Sequence, residues 1–151
     1  ENKGDHRIRA GATPAEGRYG EGRRQTLEVQ GKPLGALVET AELAAPLVVK
    51  MDIQGAEPFA LATAPALFRK ADLLLTEYWP YGLKRLGHDP QAFLKELATL
   101  FPFAAQLPDG AVPENITFKP SADVAARLAG FGADGAIEAT DIVLSRVERP
   151  F

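Results

Sequence analysis

Cysteine is absent from the 151-residue sequence, which excludes a disulfide framework, a thiolate nucleophile and any cysteine-ligated metal centre. Histidine occurs only as His6 and His88, far apart in the chain, which gives zinc little support. No apolar run approaches the roughly 18 residues that a membrane-spanning helix requires, and Glu1 to Arg9 is too charged for a signal peptide. Neither sign of charge dominates. Against 17 Lys and Arg stand 20 Asp and Glu, a net charge of -3, so nucleic acid and anionic lipid gain little electrostatic attraction. These absences predict a soluble, cytoplasmic protein with neither nucleic acid nor membrane as partner.

What is present reads as globular. Hydrophobic residues make up 46% and charged residues 25% of the chain, an ordinary balance for a packed domain and not for a disordered or fibrous one. Continuous apolar runs at Leu47 to Ile53 and Ala71 to Tyr78, about 20 residues apart with helical sequence between, predict buried strands of a parallel sheet in an α/β fold. Glu57-Pro58 opens the intervening helix and Pro65 divides it. Asp89-Pro90 supplies an N-cap and a first-turn proline, and Phe93, Leu94, Leu97 and Leu100 share one face of the helix that follows. Further strands are expected over Phe101 to Leu107 and Thr140 to Val147, with a helix capped by Ser121 over Ala122 to Leu128. Towards the N-terminus, Glu1 to Gly22 reads as loop or irregular hairpin, Thr26 to Val29 as a short strand, and Pro33 to Val38 as a brief helix. Gly130-Phe131-Gly132-Ala133-Asp134-Gly135 matches a dinucleotide fingerprint in letters alone: a helix precedes it and a strand follows, the reverse of what phosphate binding needs, so it reads as a helix-ending turn.

Two strand ends carry the chemistry-bearing side chains. Alternation places Val48, Lys50 and Asp52 on one face of the first strand and Val49, Met51 and Ile53 on the other. In a parallel sheet the ligand crevice lies beyond the carboxyl ends of the strands, where Asp52, Gln54 and Glu57 fall. Two readings stand side by side there: a ligand site, or an internal Lys50–Asp52 ion pair with Glu57 favouring a helix N-terminus. The second strand ends in Glu77-Tyr78-Trp79-Pro80-Tyr81, adding a carboxylate and three rings suited to an apolar or sugar-like ligand face, or to ordinary core packing. Asp52, Glu57 and Glu77 are hard oxygen donors, but nothing in their spacing fixes a coordination geometry, and no metal is expected.

Together these segments resemble the FkbM family of S-adenosylmethionine-dependent methyltransferases. The family's lysine, acid, polar or acidic residue, Gly and Glu across the fourth strand of its sheet are met by Lys50-Met51-Asp52-Ile53-Gln54-Gly55-Ala56-Glu57. Leu73-Leu74-Leu75-Thr76-Glu77 is similar to its next strand, Asn2-Lys3-Gly4-Asp5-His6-Arg7 to a loop before the fourth strand, and Thr140 to Arg146 to its closing strand. The resemblance implies a Rossmann-like class I methyltransferase sheet, mostly parallel with helices on both faces, present here only as its C-terminal part over residues 1–151. The family's glycine-rich cofactor turn and the acid ending its second strand have no counterpart, which implies a longer catalytic domain. It further implies methyl transfer from S-adenosylmethionine to a hydroxyl of a small-molecule or saccharide acceptor. Asp52 would orient or deprotonate that hydroxyl, with His6 as the other candidate base and Lys50 holding Asp52 ionised. Glu57, Glu77, Tyr78 and Trp79 would border the acceptor, and Asp52 and Gln54 would meet the cofactor. Two other classes remain open: another nucleotide-binding α/β enzyme, and a non-catalytic binding or dimerisation module.

Overall fold

A computed structural model of the chain describes residues 7–9, 19–107, 111–112, 115–132, 139–148 and 150. The first regular strand, β1 (Val48–Met51), begins where the Leu47 N–H donates to the Asp72 carboxylate at 2.7 Å. Its β-branched pair Val48-Val49 suits a pleated surface. The apolar run does not continue to Ile53 as strand, because Gln54 and Gly55 take positive φ, 59° and 95°, and turn the chain into α1 (Glu57–Thr63). Pro65 then ends that helix and starts α2 (Pro65–Lys70), as the missing N–H of proline predicts.

From there the chain forms β2 (Leu73–Tyr78), α3 (Pro80–Arg85) and α4 (Pro90–Leu100). The Asp89 side chain accepts from the Gln91 N–H at 2.9 Å, the N-cap read from the sequence. Next come β3 (Phe103–Leu107), β4 (Lys119–Pro120), α5 (Ser121–Leu128) and β5 (Thr140–Ser145). Ser121 is not a cap: it is the first helical residue, its N–H donates to the Pro102 carbonyl, and its hydroxyl makes no capping bond. Thr26 to Val29 is not a strand either. Leu27 and Val29 are 81% and 82% exposed with no partner strand beside them among the described residues. Pro33 to Val38 holds a single 3-10 turn, Leu34–Ala36. A turn does follow α5, with Gly132 at φ 70°, but the cap itself is Ala129 in αR geometry and Gly130 beside it has no positive φ, so glycine does not end the helix; residues 133–138 lie outside the described set, as do residues 1–6 and 10–18 of the expected N-terminal loop.

The five strands form one sheet in the order β1-β2-β5-β3-β4. The α/β class holds, but a mostly parallel sheet does not. Only β1 and β2 pair in parallel, whereas β5 lies antiparallel between β2 and β3, and β4 is antiparallel to β3. β1, β2 and β3 therefore run the same way, with β5 opposed because it enters opposite Tyr78, at the carboxyl end of β2. The two apolar runs, β1 and β2, do pair in parallel as expected; the expectation does not extend to the rest of the sheet, because a central strand of a mixed sheet, such as β5, is as apolar as one in a parallel sheet.

Nor do helices cover both faces. Met51, Leu74, Tyr78, Ala104, Ile142 and Leu144 pack on one face against side chains from all five helices, including Leu61, Phe68, Leu83, Leu97 and Leu128. Leu73, Leu75, Phe103, Ala105 and Val143 occupy the other face, where among the described residues Ile116 and Phe118 lie against them. Among the described residues no helix is long and apolar enough to cross a membrane.

Candidate functional site

The parallel pair β1 and β2 ends in one rim. Lys50 pairs with Leu75 and Met51 with Thr76 in register, so the residues just beyond, Asp52 and Glu77, emerge on the same face, the one without helices. Asp141 of β5 sits opposite Glu77 and adds a third carboxylate from the other flank.

Gln54 joins the two strand ends. Its carboxamide donates to Asp52 at 3.1 Å and to Glu77 at 3.3 Å, and it does so from a backbone with φ 59°, a region costing a non-glycine residue about 1 kcal/mol or more. Gly55 next to it is tighter still: a Cβ there would overlap the backbone of Gly82, and a Cβ on Gly82 would overlap the Trp79 ring. The turn after β1, the first turn of α3 and the Trp79 indole are thus stacked without room for a methyl group.

Glu57 lies behind this rim, not in it. It is 1% exposed, accepts from the Ile53 N–H at 3.0 Å, and is further held by the backbone N–H groups of Gly55 and of Glu57 itself. Burial raises its pKa and these hydrogen bonds oppose the rise. It braces the turn that carries Gln54. Lys50 and Asp52 form the expected ion pair, 3.5 Å apart, but with side chains 65% and 46% exposed. The lysine was expected inside a buried strand. β1 is instead the edge of this sheet, where a solvated pair contributes at most about 1 kcal/mol.

The aromatic residues divide. Tyr78 is buried on the helix-covered face beside Phe131, and its hydroxyl pKa is pushed up to about 12 by burial first and by Asp89 second. Trp79 meets Tyr81 at 5.3 Å and Tyr19 at 5.6 Å between ring centroids, and the Arg7 guanidinium lies 4.4 Å from the Tyr19 ring and 4.7 Å from the Trp79 ring. Arg85 fixes this N-terminal segment by donating to the Ile8 carbonyl at 3.1 Å. Arg7 and Tyr19 carried no assigned role in the sequence because they arrive from some 60 residues away, and no local pattern announces such a contact. His6 lies outside the described residues. His88 packs edge-on against Phe59 at 4.5 Å, a structural placement.

Glu77 is the most perturbed acid of the rim. Its pKa rises from the ordinary 4.5 to about 7, through burial first and then the negative charges of Asp52, Glu57 and Asp141, while Arg7 works in the opposite direction. Because the folded protein holds this proton at pH values where the unfolded chain has lost it, stability must fall as pH rises from about 4.5 to 7. Glu77→Gln should therefore match the parent near pH 4 and exceed it at pH 8. The gain, discounted for the partial exposure of the side chain, should be about 1–2 kcal/mol. Urea unfolding at the two pH values measures it, and equal stability at pH 8 would contradict the assignment.

Neither a family model, nor a curated protein, nor a solved structure matches this chain. The site thus stands on its geometry: acidic and amide oxygens from two strand ends, a ring cluster beside them, and no group of three or more metal-ligating side chains among the described residues.

Proposed function

We propose that this chain forms the acceptor side of a cytoplasmic, FkbM-like, S-adenosylmethionine-dependent O-methyltransferase acting on a hydroxyl of a sugar or natural-product scaffold. The observation that carries the reading is the convergence of Asp52, Gln54 and Glu77 beyond the carboxyl ends of the parallel pair, the place where open α/β sheets hold ligands. The Lys50-x-Asp52-x-x-Gly55-x-Glu57 spacing supports it, since each position has its own use here: Gly55 for a close backbone approach, Glu57 to brace the turn, Lys50 against Asp52. Three co-directional strands with the last strand inserted antiparallel between two of them support the closing half of a Rossmann-like methyltransferase sheet.

The residues at the rim fit the methyl end of such a cofactor and its acceptor. Carboxylates and an amide oxygen suit a sulfonium cation and a hydroxyl donor, and Tyr81 and Tyr19, half-buried over the buried Trp79 ring, provide the aromatic surface. Among the described residues no glycine-rich turn joins a strand to a helix, and no residue is assigned to the adenosyl group. When bound, S-adenosylmethionine supplies an electrophilic methyl group whose bond to sulfur breaks as the bond to the acceptor oxygen forms. The chain's own work is to orient the hydroxyl and receive its proton. Asp52 accepts a hydrogen bond from it, Lys50 and Gln54 hold Asp52 in place, and Glu77 closes the opposite side.

Calorimetric titration of the full-length protein that carries this sequence, with S-adenosylhomocysteine and with NAD, tests this reading. Binding of the first and not the second is expected; binding of NAD alone would favour a nucleotide-binding enzyme of another class, and binding of neither would favour an interaction module. In active protein, Asp52→Ala should reduce turnover at least tenfold with little change in cofactor affinity. Unchanged turnover would remove Asp52 from the mechanism.

A further inference from the structure

We propose that Glu77, aimed by the carboxamide of Gln54, is the group that takes the acceptor's proton in this reaction, with Asp52 serving to orient the hydroxyl. This inference rests on the methyltransferase reading and assigns within it a proton acceptor that the sequence had placed only at the pocket border. In the step, the acceptor O–H bond breaks and its proton passes to a Glu77 carboxylate oxygen. The electron pair stays on the acceptor oxygen, which carries it into the new bond to the methyl group supplied by the sulfonium co-reactant. Glu77 then returns the proton to solvent.

Geometry distinguishes the two carboxylates. Asp52 is solvent-exposed and paired with Lys50 at 3.5 Å. Glu77 ends β2, a strand flanked on both sides by β1 and β5, and is only partly exposed. The charged groups facing it are Asp52 from the turn after β1, Glu57 from α1, Asp141 from β5 and Arg7 from the N-terminal segment. Among the described residues, burial and three negative neighbours against one positive favour gain of a proton, and the resulting pKa of about 7 suits proton transfer at neutral pH.

Gln54 is the positioning residue. A side chain at φ 59° is unusual enough to require a reason, and the only side-chain hydrogen bonds described for Gln54 run to Asp52 and Glu77. Were its role structural, glycine would be the better residue there, since glycine adopts that backbone without strain.

The test uses the full-length protein that carries this sequence, with S-adenosylmethionine and an acceptor hydroxyl found by methylation screening. Carboxyl carbon NMR of glutamate-labelled protein follows Glu77 directly, with Glu77→Gln for assignment and Glu77→Asp as a second variant. We expect a titration midpoint near 7 and a kcat/KM that rises with pH to the same midpoint. Glu77→Gln should lose that rise and about 100-fold or more in rate, with Glu77→Asp partly active. Gln54→Gly should fall about tenfold in kcat with no loss in Tm. A Glu77 midpoint between 4 and 5 overturns the proposal, as does an unchanged pH profile in Glu77→Gln. A drop in Tm of Gln54→Gly that accounts for its lost activity overturns the positioning role. Wild-type protein that transfers no methyl group to any hydroxyl overturns the methyltransferase reading and this inference with it, an outcome distinct from an active enzyme indifferent to Glu77.

Discussion

Replacing Arg146 by methionine is expected to destabilise the protein by about 3–5 kcal/mol, lowering Tm by roughly 10 °C. Its guanidinium donates to the carbonyls of Ala71 at 2.8 Å, Leu100 at 3.0 Å, Phe68 at 2.9 Å and Arg69 at 2.7 Å. These oxygens belong to the ends of α2 and α4, where helical carbonyls have no partner within the helix and carry the negative end of its dipole. One cation therefore closes two helices, and the ring of Phe101 lies 4.9 Å beneath it. Methionine keeps the aliphatic packing and leaves four oxygens without their donors. Arg146→Lys should recover less than half, since an ammonium cannot span the planar fork of donors that reaches all four carbonyls. Urea unfolding measures both variants, and a loss below about 1 kcal/mol for the methionine variant would show that water replaces the guanidinium without penalty.

Gly55→Ala is expected to cost about 3 kcal/mol or more, because two effects add. Its φ of 95° is unfavourable for any residue with a Cβ, and that Cβ would overlap the Gly82 backbone, which itself rests on Trp79 and cannot retreat. Two other glycines separate the contributions. Gly87 has φ 83° but open space around it, so Gly87→Ala should show the backbone effect alone, about 1 kcal/mol. Gly31 has neither constraint, and Gly31→Ala should lie within about 0.5 kcal/mol of the parent. If Gly55→Ala and Gly87→Ala lose equal stability by thermal unfolding, the turn after β1 is not locked against α3.

Local signals in the sequence carried most elements and much of the rim. Asp89-Pro90 with its apolar face marked α4, Pro65 marked the break between α1 and α2, and the apolar runs marked β1, β2 and β5. Lys50, Asp52, Gln54 and Glu77 were legible as strand-end residues because alternation and chain direction suffice to put them there. What stayed hidden was set by long-range pairing. Nothing in Thr140 to Ser145 says that this strand opposes β2, and nothing near Glu77 says that Asp141 and Arg7 will face it. Glu57 looked like a ligand-facing acid because the sequence does not reveal that the Ile53 N–H would claim it. Tyr78 and Trp79, expected at the pocket border, are both buried, the first against Phe131 and the second under Tyr19 and Tyr81, which adjacency in sequence does not reveal.

The position of β5 has a consequence for how the chain reaches its native state. It is the central strand of the sheet and, among the described strands, the last to be synthesised. Its partners on the two flanks lie roughly 70 and 40 residues earlier, the kind of separation that slows folding because long loops must close before contacts repay them. Until Thr140 to Ser145 emerges, β1 with β2 and β3 with β4 are separate pairs, each exposing an unsatisfied backbone edge to other nascent chains. A ribosome that stalls or terminates before Thr140 thus releases two adhesive half-sheets instead of a smaller folded protein.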